Sequence, residues 1–409
     1  MSLLAKRSII KDDKTNIITL GSIAKEMKAK NKDVVNATIG MYYQDNGKLA
    51  TFNIVNDTMG KLSDDEKYAY SSSVGNVSFH EAVKKWIFQD CYDEINNNNN
   101  VAVIASPGGS GAISNTFTNY LNENDKVLLP SLMWDNYKQF AYENNARYET
   151  YELFDENNDF NLKSLKEKMT QLIKEQGRVL LVVNDPCHNP TGYCMSNSEW
   201  EKLIDLLNEL SNDNTPIILL HDIAYIDYDR KSIKESRKNF VLYNKLNESV
   251  LVVLTFSASK SFALYGLRVG AQIAICKSKE NIDEFVRANK YSSRAKWSNT
   301  TNFGMNLITK ILNEGHEPFI NELNNRKEVL TNRANIFIDE CNKIGLKTYP
   351  FVCGFFVTIP CKDPLATYNN LVKRNVHIIP LDGCIRITIA SISQKDCQNI
   401  PAIIKEELV

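Results

Sequence analysis

The chain has almost no excess charge of either sign. Its 48 Lys and Arg face 49 Asp and Glu, a formal net charge of −1 over 409 residues. That speaks against a protein whose main task is holding nucleic acid, which needs a basic surplus to displace counterions. A small anion needs only two or three placed cations and stays open. Long apolar runs are also missing. Runs such as Val250–Phe256 fall far short of the roughly 20 residues that cross a bilayer, so no membrane partner is expected. The opening MSLLAKRSIIKDD has no apolar stretch of secretory length. Nine cysteines, an odd number, run from Cys91 to Cys397 without a CxxC pair. They read as reduced thiols of a cytoplasmic protein, not as a disulfide frame or a zinc site. The five histidines form no HxxxH or HExxH, so no metal is expected. No internal repeat stands out. The one low-complexity tract, Asn96–Asn100, reads as a surface loop.

What is present is an ordinary globular composition, 43% hydrophobic and 24% charged, long enough for two or three units. Short apolar runs read as buried strands: Val101–Ala105, Val127–Pro130, Arg178–Val183, Pro216–His221, Val250–Phe256 and Val269–Ile275. Segments of helical spacing lie between most of them. In Ser198–Leu210 the residues Trp200, Leu203, Ile204, Leu207 and Leu210 share one face, and Leu162–Lys174 is similar. This alternation predicts an α/β fold with a mostly parallel sheet covered on both sides. After about Asn299 the pattern changes to a long helical stretch, Thr300–Ile344, broken near Pro318. Short strands follow around Gly354–Ile359, Val376–Ile379 and Ile385–Ile389, then a terminal helix. We read residues 49–325 as a large domain and 326–409 as a smaller α+β domain, against which residues 1–48 pack.

Four motifs sit at strand ends. Ser106-Pro-Gly-Gly-Ser-Gly-Ala112 follows a strand and opens a helix. It is a simple tight turn, an anion cradle at a helix N-terminus, or a nucleophile elbow around Ser110. The elbow pattern G-x-S-x-G fails at its last place, where Ala112 stands. Ser257-Ala-Ser-Lys260 offers a solvated loop lysine or an amine able to form a Schiff base with a carbonyl cofactor. Its S-x-x-K lacks the S-D-N and K-T-G companions of penicillin-binding enzymes. Asn184-Asp-Pro-Cys-His-Asn-Pro-Thr-Gly192 is strong turn chemistry. His221-Asp-Ile-Ala-Tyr225 puts a carboxylate where open α/β sheets receive ligands.

Taken in order, these motifs resemble the aspartate-aminotransferase-like branch (class I) of pyridoxal-phosphate enzymes, from about Asn36 to Arg386. The strongest piece is Ser257-Ala-Ser-Lys260 with Leu264-Tyr-Gly-Leu-Arg268-Val-Gly270. The resemblance implies the fold type I architecture, pyridoxal 5'-phosphate as cofactor and a homodimer with shared sites. By it, Lys260 carries the cofactor and moves the substrate proton. Asp222 pairs with the pyridine nitrogen, and Tyr225 and Asn189 hydrogen-bond the ring oxygen. Trp134 stacks on the ring. Gly108, Gly109, Ser110, Ser257 and Arg268 hold the phosphate, and Tyr70, with Gly75, reaches the neighbouring subunit's phosphate. On the substrate side, Arg386 clamps the α-carboxylate, Gly40 borders the substrate with its backbone, and Arg294 matches an arginine that takes a distal carboxylate. Arg294 reads equally as a solvent-facing cation. Three places after Trp134, where aspartate-specific members commonly have a histidine, this chain has Tyr137, whose phenol could still donate to Asp222. No role is assigned to His188 or His221.

The expected activity is transfer of the amino group of an L-amino acid, aspartate or aromatic, to a 2-oxo acid such as 2-oxoglutarate by a ping-pong route. A β-lyase or synthase on the same fold would keep the same cofactor residues. A serine hydrolase using Ser110 or Ser257, or a non-catalytic ligand-binding module, are the rivals of other classes.

Overall fold

A computed structural model of the chain describes residues 3–5, 8, 11, 17–212 and 214–409. Most of the opening MSLLAKRSIIKDD lies outside the described residues. Two compact units are present. The larger comprises Ala50–Thr331 and Pro350–Gly354, the smaller Met1–Leu49, Asn332–Tyr349 and Phe355–Val409.

The larger unit is built on seven strands: β1 (Asn100–Pro107), β2 (Lys126–Pro130), β3 (Arg147–Tyr151), β4 (Val179–Asn184), β5 (Ile217–Asp222), β6 (Val250–Ser257) and β7 (Val269–Cys276). They lie in the order β1-β7-β6-β5-β4-β2-β3. Only β7 runs against its neighbours; the other six are parallel. β4, β5, β6 and β7 are buried along their whole length. Continuous apolar runs rather than alternation result, because both faces of the sheet are covered. One face packs Ile113, Phe117, Tyr137, Val182, Leu220, Val253 and Phe285 into a single core. Ser257, the end of β6, opens directly into the single turn Ala258–Ser261.

The flanking helices include α1 (Gly108–Tyr120), α2 (Leu162–Gln176), α3 (Asn197–Leu210) and α4 (Lys279–Lys296). α3 starts with a capping box in which Ser196 and Glu199 each satisfy the other's backbone N–H. α2 is stopped by Gly177, at φ +72°.

Two sequence expectations are corrected. The Asn96–Asn100 tract is not a loop. It closes the helix Tyr92–Asn98 and starts β1. The carboxamides of Asn96, Asn98 and Asn99 donate to the Tyr92, Glu94 and Ile95 carbonyls, each four residues back along the helix. The long helical stretch breaks at Gly315, between α5 (Asn302–Glu314) and α6 (His316–Lys343), not at Pro318. Pro318 falls in the first turn of α6, where a missing N–H costs nothing. The strand β3 was not anticipated.

In the smaller unit, β8 (Phe356–Pro360), β9 (Ile379–Leu381) and β10 (Cys384–Thr388) form an antiparallel sheet in the order β9-β10-β8. Val35–Asn36 pairs in parallel with Val376–His377. A terminal helix, α7 (Gln394–Glu407), begins with a Ser393–Asp396 capping box. Among the described residues no helix is long and apolar enough to cross a membrane.

Candidate active site

The register of the central strands sets one edge of the larger sheet. Asn184 lies opposite Asp222, and Asp222 opposite Thr255, so β4, β5 and β6 end nearly level. β7, running the other way, begins where they end: Pro107 faces Val269, and Gly270 lies between Ser106 and Ser257. Nearly every cofactor residue expected from the sequence comes from this edge.

Asp222 is buried, 5% exposed. Its carboxylate accepts the Tyr137 hydroxyl at 2.6 Å and the Ala224 N–H at 3.1 Å. Burial pushes its pKa up to about 6, against the opposing pull of the Tyr137 bond, the Ala224 bond and the Lys260 charge. The phenol at position 137 therefore does donate to Asp222. Trp134 packs edge-on against Tyr137, with ring centroids 5.5 Å apart. The Lys260 Nζ lies 5.3 Å from the Tyr225 ring centre and 5.1 Å from that of Tyr265. Asn189 is buried, and its N–H donates to the Asn184 side chain at 2.7 Å, which in turn donates to the Asp222 carbonyl at 2.8 Å. This ties the 184–192 turn to the strand carrying Asp222.

Beside them a glycine-lined helix N-terminus meets a guanidinium, the arrangement expected of an anion cradle. Gly108 opens α1 at φ +70°, and a Cβ there would meet the Arg268 guanidinium at 2.6 Å. The α1 N-terminus adds backbone N–H groups without helical partners. The Arg268 guanidinium donates to Ser259 at 3.0 Å and to the Tyr265 carbonyl at 3.1 Å. Gly270 must lack a side chain, because a Cβ would lie 2.5 Å from the Gly108 carbonyl carbon and 2.6 Å from the Phe256 oxygen. Gly109 and Ser257 adjoin, a Cβ at Gly109 falling 3.3 Å from that of Ser257. Ser110 is in the first turn of α1.

Gly40 and Arg386 belong to the smaller unit. Arg386 is buried in β10, 3% exposed, where it donates to the Thr38 carbonyl at 2.7 Å and lies 4.5 Å from the Phe356 ring centre. Thr388 N–H binds the Ala37 carbonyl, so the segment before Gly40 runs beside the Arg386 strand. Tyr70 and Arg294 differ in character from all of these. Tyr70 is 95% exposed, and Arg294, also exposed, bonds Ser298 in the last turn of α4.

Sequence reasoning missed Ser259 and Asn184, although both stand inside quoted motifs; neither has a spacing signal of its own. His221 and His188 are packed: His221 bonds Tyr243 at 2.6 Å and the Asp185 carbonyl at 2.7 Å, and His188 bonds Thr191 at 2.9 Å. Burial lowers the pKa of each to about 3.

A buried carboxylate, an amine, a level row of polar strand ends and a glycine–arginine cradle suit a planar, phosphorylated carbonyl compound. The comparisons agree. The chain's sequence from 32 to 404 matches the profile of the family described as aminotransferase class I and II. It is 25% identical over 283 residues to an aspartate aminotransferase of Pseudomonas aeruginosa, covering 68% of each chain. A crystal structure of an aminotransferase from Anaerococcus prevotii superposes with a TM-score of 0.95 at 28% identity, covering 100% of both chains. An aromatic-amino-acid aminotransferase from Burkholderia pseudomallei, with covalently bound pyridoxal phosphate, shares the fold at a TM-score of 0.81, with 22% identity and 100% of both chains covered. The chain belongs to the class I and II aminotransferase family and is a pyridoxal-phosphate-dependent transaminase of fold type I.

Proposed function

We propose that this enzyme moves the amino group of aspartate or an aromatic L-amino acid to a 2-oxo acid such as 2-oxoglutarate, by a ping-pong route, as a cytoplasmic homodimer. The observation that carries the residue assignments is the convergence of Asp222, Lys260 and the Gly108–Arg268 cradle on one sheet edge.

The residues fit pyridoxal phosphate. The Gly108 and Gly270 positions leave room that any Cβ would fill, beside a guanidinium that matches a phosphate. The buried Asp222 suits a cationic ring nitrogen. When bound, pyridoxal phosphate supplies an electrophilic carbonyl and a sink for the electrons of a broken Cα–H bond. Asp222 would keep a proton on the ring nitrogen, and Tyr137 favours the ionised form of Asp222 by donating to it, against the upward push of burial. Tyr225 and Asn189 would donate to the ring oxygen. Trp134 would cover the ring face. Lys260 would hold the cofactor through its amine and would carry the proton lost from the substrate Cα. Ser110, Gly109 and Ser257 complete the phosphate contacts with Arg268. Arg386 binds the substrate α-carboxylate through its fork, and the Gly40 backbone borders it.

The relatives named for aspartate and for aromatic amino acids support that substrate range. Nine cysteines without a disulfide support a reducing compartment. Tyr70, 95% exposed, and its neighbour Tyr68, 80% exposed, are large aromatics turned outward in the single chain, which supports a covering partner copy.

The purified protein should be yellow, and borohydride should fix the cofactor on the peptide containing Lys260. Fixation on another lysine sinks the assignment. Pyruvate and ammonia released without any oxo-acid acceptor would sink the transfer reading. Arg294→Ala should lower kcat/KM for aspartate by on the order of 2–5 kcal/mol and leave phenylalanine nearly unchanged. An equal loss on both returns Arg294 to the surface. Light scattering at monomer mass would remove Tyr70 from a shared site.

A further inference from the structure

Three cysteines that the sequence keeps far apart meet in the larger unit. Cys187 lies in the 184–192 turn, Cys194 just after it, and Cys353 in the short segment Pro350–Gly354. The Cys187 and Cys353 sulfurs are 3.5 Å apart, those of Cys194 and Cys353 3.3 Å, and all three lie within 4.8 Å of one another. Cys187 and Cys353 are buried and Cys194 is half-buried. No other described set of three cysteines, histidines or carboxylates converges in this way.

The surroundings are built around the sulfurs. The N–H of Cys187 points at the Cys194 sulfur from 3.2 Å, and the N–H of Arg230 at the Cys353 sulfur from 3.3 Å. Amide donors aimed at sulfur favour thiolates. Gly354 stands at φ +104°, where a Cβ would strike that of Cys187 at 2.6 Å, so its bareness lets the two segments close. Val352 and Cys353 both donate their N–H to the Gly192 carbonyl, at 2.9 and 3.0 Å. The Asp229 carboxylate, 5% exposed, reaches to 3.8 Å from the Cys353 sulfur.

We propose that Cys187, Cys194 and Cys353 bind a divalent thiophilic cation of the zinc class, with the Asp229 carboxylate, which of the three sulfurs here touches only that of Cys353, turning in to fill the fourth position. A disulfide joins two sulfurs at about 2.05 Å and leaves the third without a role. A tetrahedral ion with metal–sulfur bonds of about 2.3 Å uses all three, with sulfur–sulfur edges of about 3.8 Å. The Cys187–Cys353 and Cys194–Cys353 separations, 3.5 and 3.3 Å, need grow by only about 0.3–0.5 Å to reach that spacing. Each bound thiol gives its proton to solvent and no electron is transferred. The absence of a CxxC pair pointed away from zinc; the fold supplies the third ligand from 159 residues further along than Cys194. The ion would fasten the turn carrying Asn189 to the segment Pro350–Gly354.

The test uses the full-length, cofactor-loaded enzyme, purified under reducing conditions, stripped with a chelator and titrated with Co2+. Tetrahedral ligand-field bands, read at wavelengths beyond the cofactor's absorption, should saturate at one Co2+ per chain and vanish on adding Zn2+. Cys353→Ser should lose them, and Cys276→Ser, a buried thiol outside the cluster, should keep them. If Cys353→Ser does not fold, Zn2+ should protect Cys187, Cys194 and Cys353 of the unaltered enzyme from alkylation and leave Cys276 unprotected. Asp229→Asn should shift the bands; unchanged bands overturn the fourth ligand. No tetrahedral band at saturating Co2+, or a Cys194–Cys353 disulfide in freshly reduced enzyme, overturns the site.

Discussion

Asp222 and Asp227 stand five residues apart, both buried, and are held by opposite means. Asp227 faces the Arg237 guanidinium, with both side chains at 0% exposure, and accepts the Trp86 indole N–H at 3.3 Å. It is a closed pair, with charge matched by charge. The donors to Asp222 are a phenol and an amide, both neutral, and burial pushes its carboxyl up to about 6. Its charge is under-compensated, so it keeps an appetite for one more cation. Asp185 is an internal control. Burial raises it to about 7 and it too has neutral donors, the Met195 amide and the Trp200 indole, but no lysine charge lowers it. What sets Asp222 apart from Asp185 is its place at the sheet edge within reach of the Lys260 charge, not burial alone.

The comparison can be pressed, starting with the largest effect. Lys260→Ala should slow single-turnover amino transfer by ~10⁴-fold, with secondary structure intact by circular dichroism. Asp222→Asn should cost ~100–1,000-fold in kcat while the protein stays folded. Asp227→Ala should do the reverse. It strands the buried Arg237 and costs about 3–5 kcal/mol in denaturant unfolding, with turnover per folded molecule unchanged. If Asp222→Asn unfolds the chain and Asp227→Ala only slows it, the contrast is wrong.

The pH dependence has a definite sign. The Asp222 pKa is raised on folding, so its contribution to cofactor-free stability is fully present below the ordinary carboxylate range. That contribution is lost as pH rises through about 6. Attraction for a cationic ring runs the other way and is gained over the same window. Tyr137→Phe removes a bond that lowers this pKa, so the acid limb of kcat should move to higher pH, at a stability cost of about 1 kcal/mol. Asp185→Asn should leave the cofactor spectrum unchanged, the smallest effect of the set.

The sheet was legible because β4 to β7 are buried on both faces and read as unbroken apolar runs. β3 was not, since an edge strand of sequence RYETY buries only its last residue fully. The asparagine tract misled because the carboxamides that suit loops also finish a helix. Lys260, Arg268 and Asp222 could be placed only through the family resemblance, which rests on motifs within a few residues of strand ends. The three-sulfur cluster could not, because chain separation hides it until the fold is known.

The reversed strand β7 has one more consequence. Lys260 follows one strand and Arg268 precedes the next, so a single hairpin-like connection of eight steps sets the distance from amine to guanidinium. It works as a ruler. Substitutions along its exposed part leave the measure alone, but an added or deleted residue would move the Lys260 amine and the Arg268 guanidinium out of step together. Length, more than composition, is what this stretch of chain must keep.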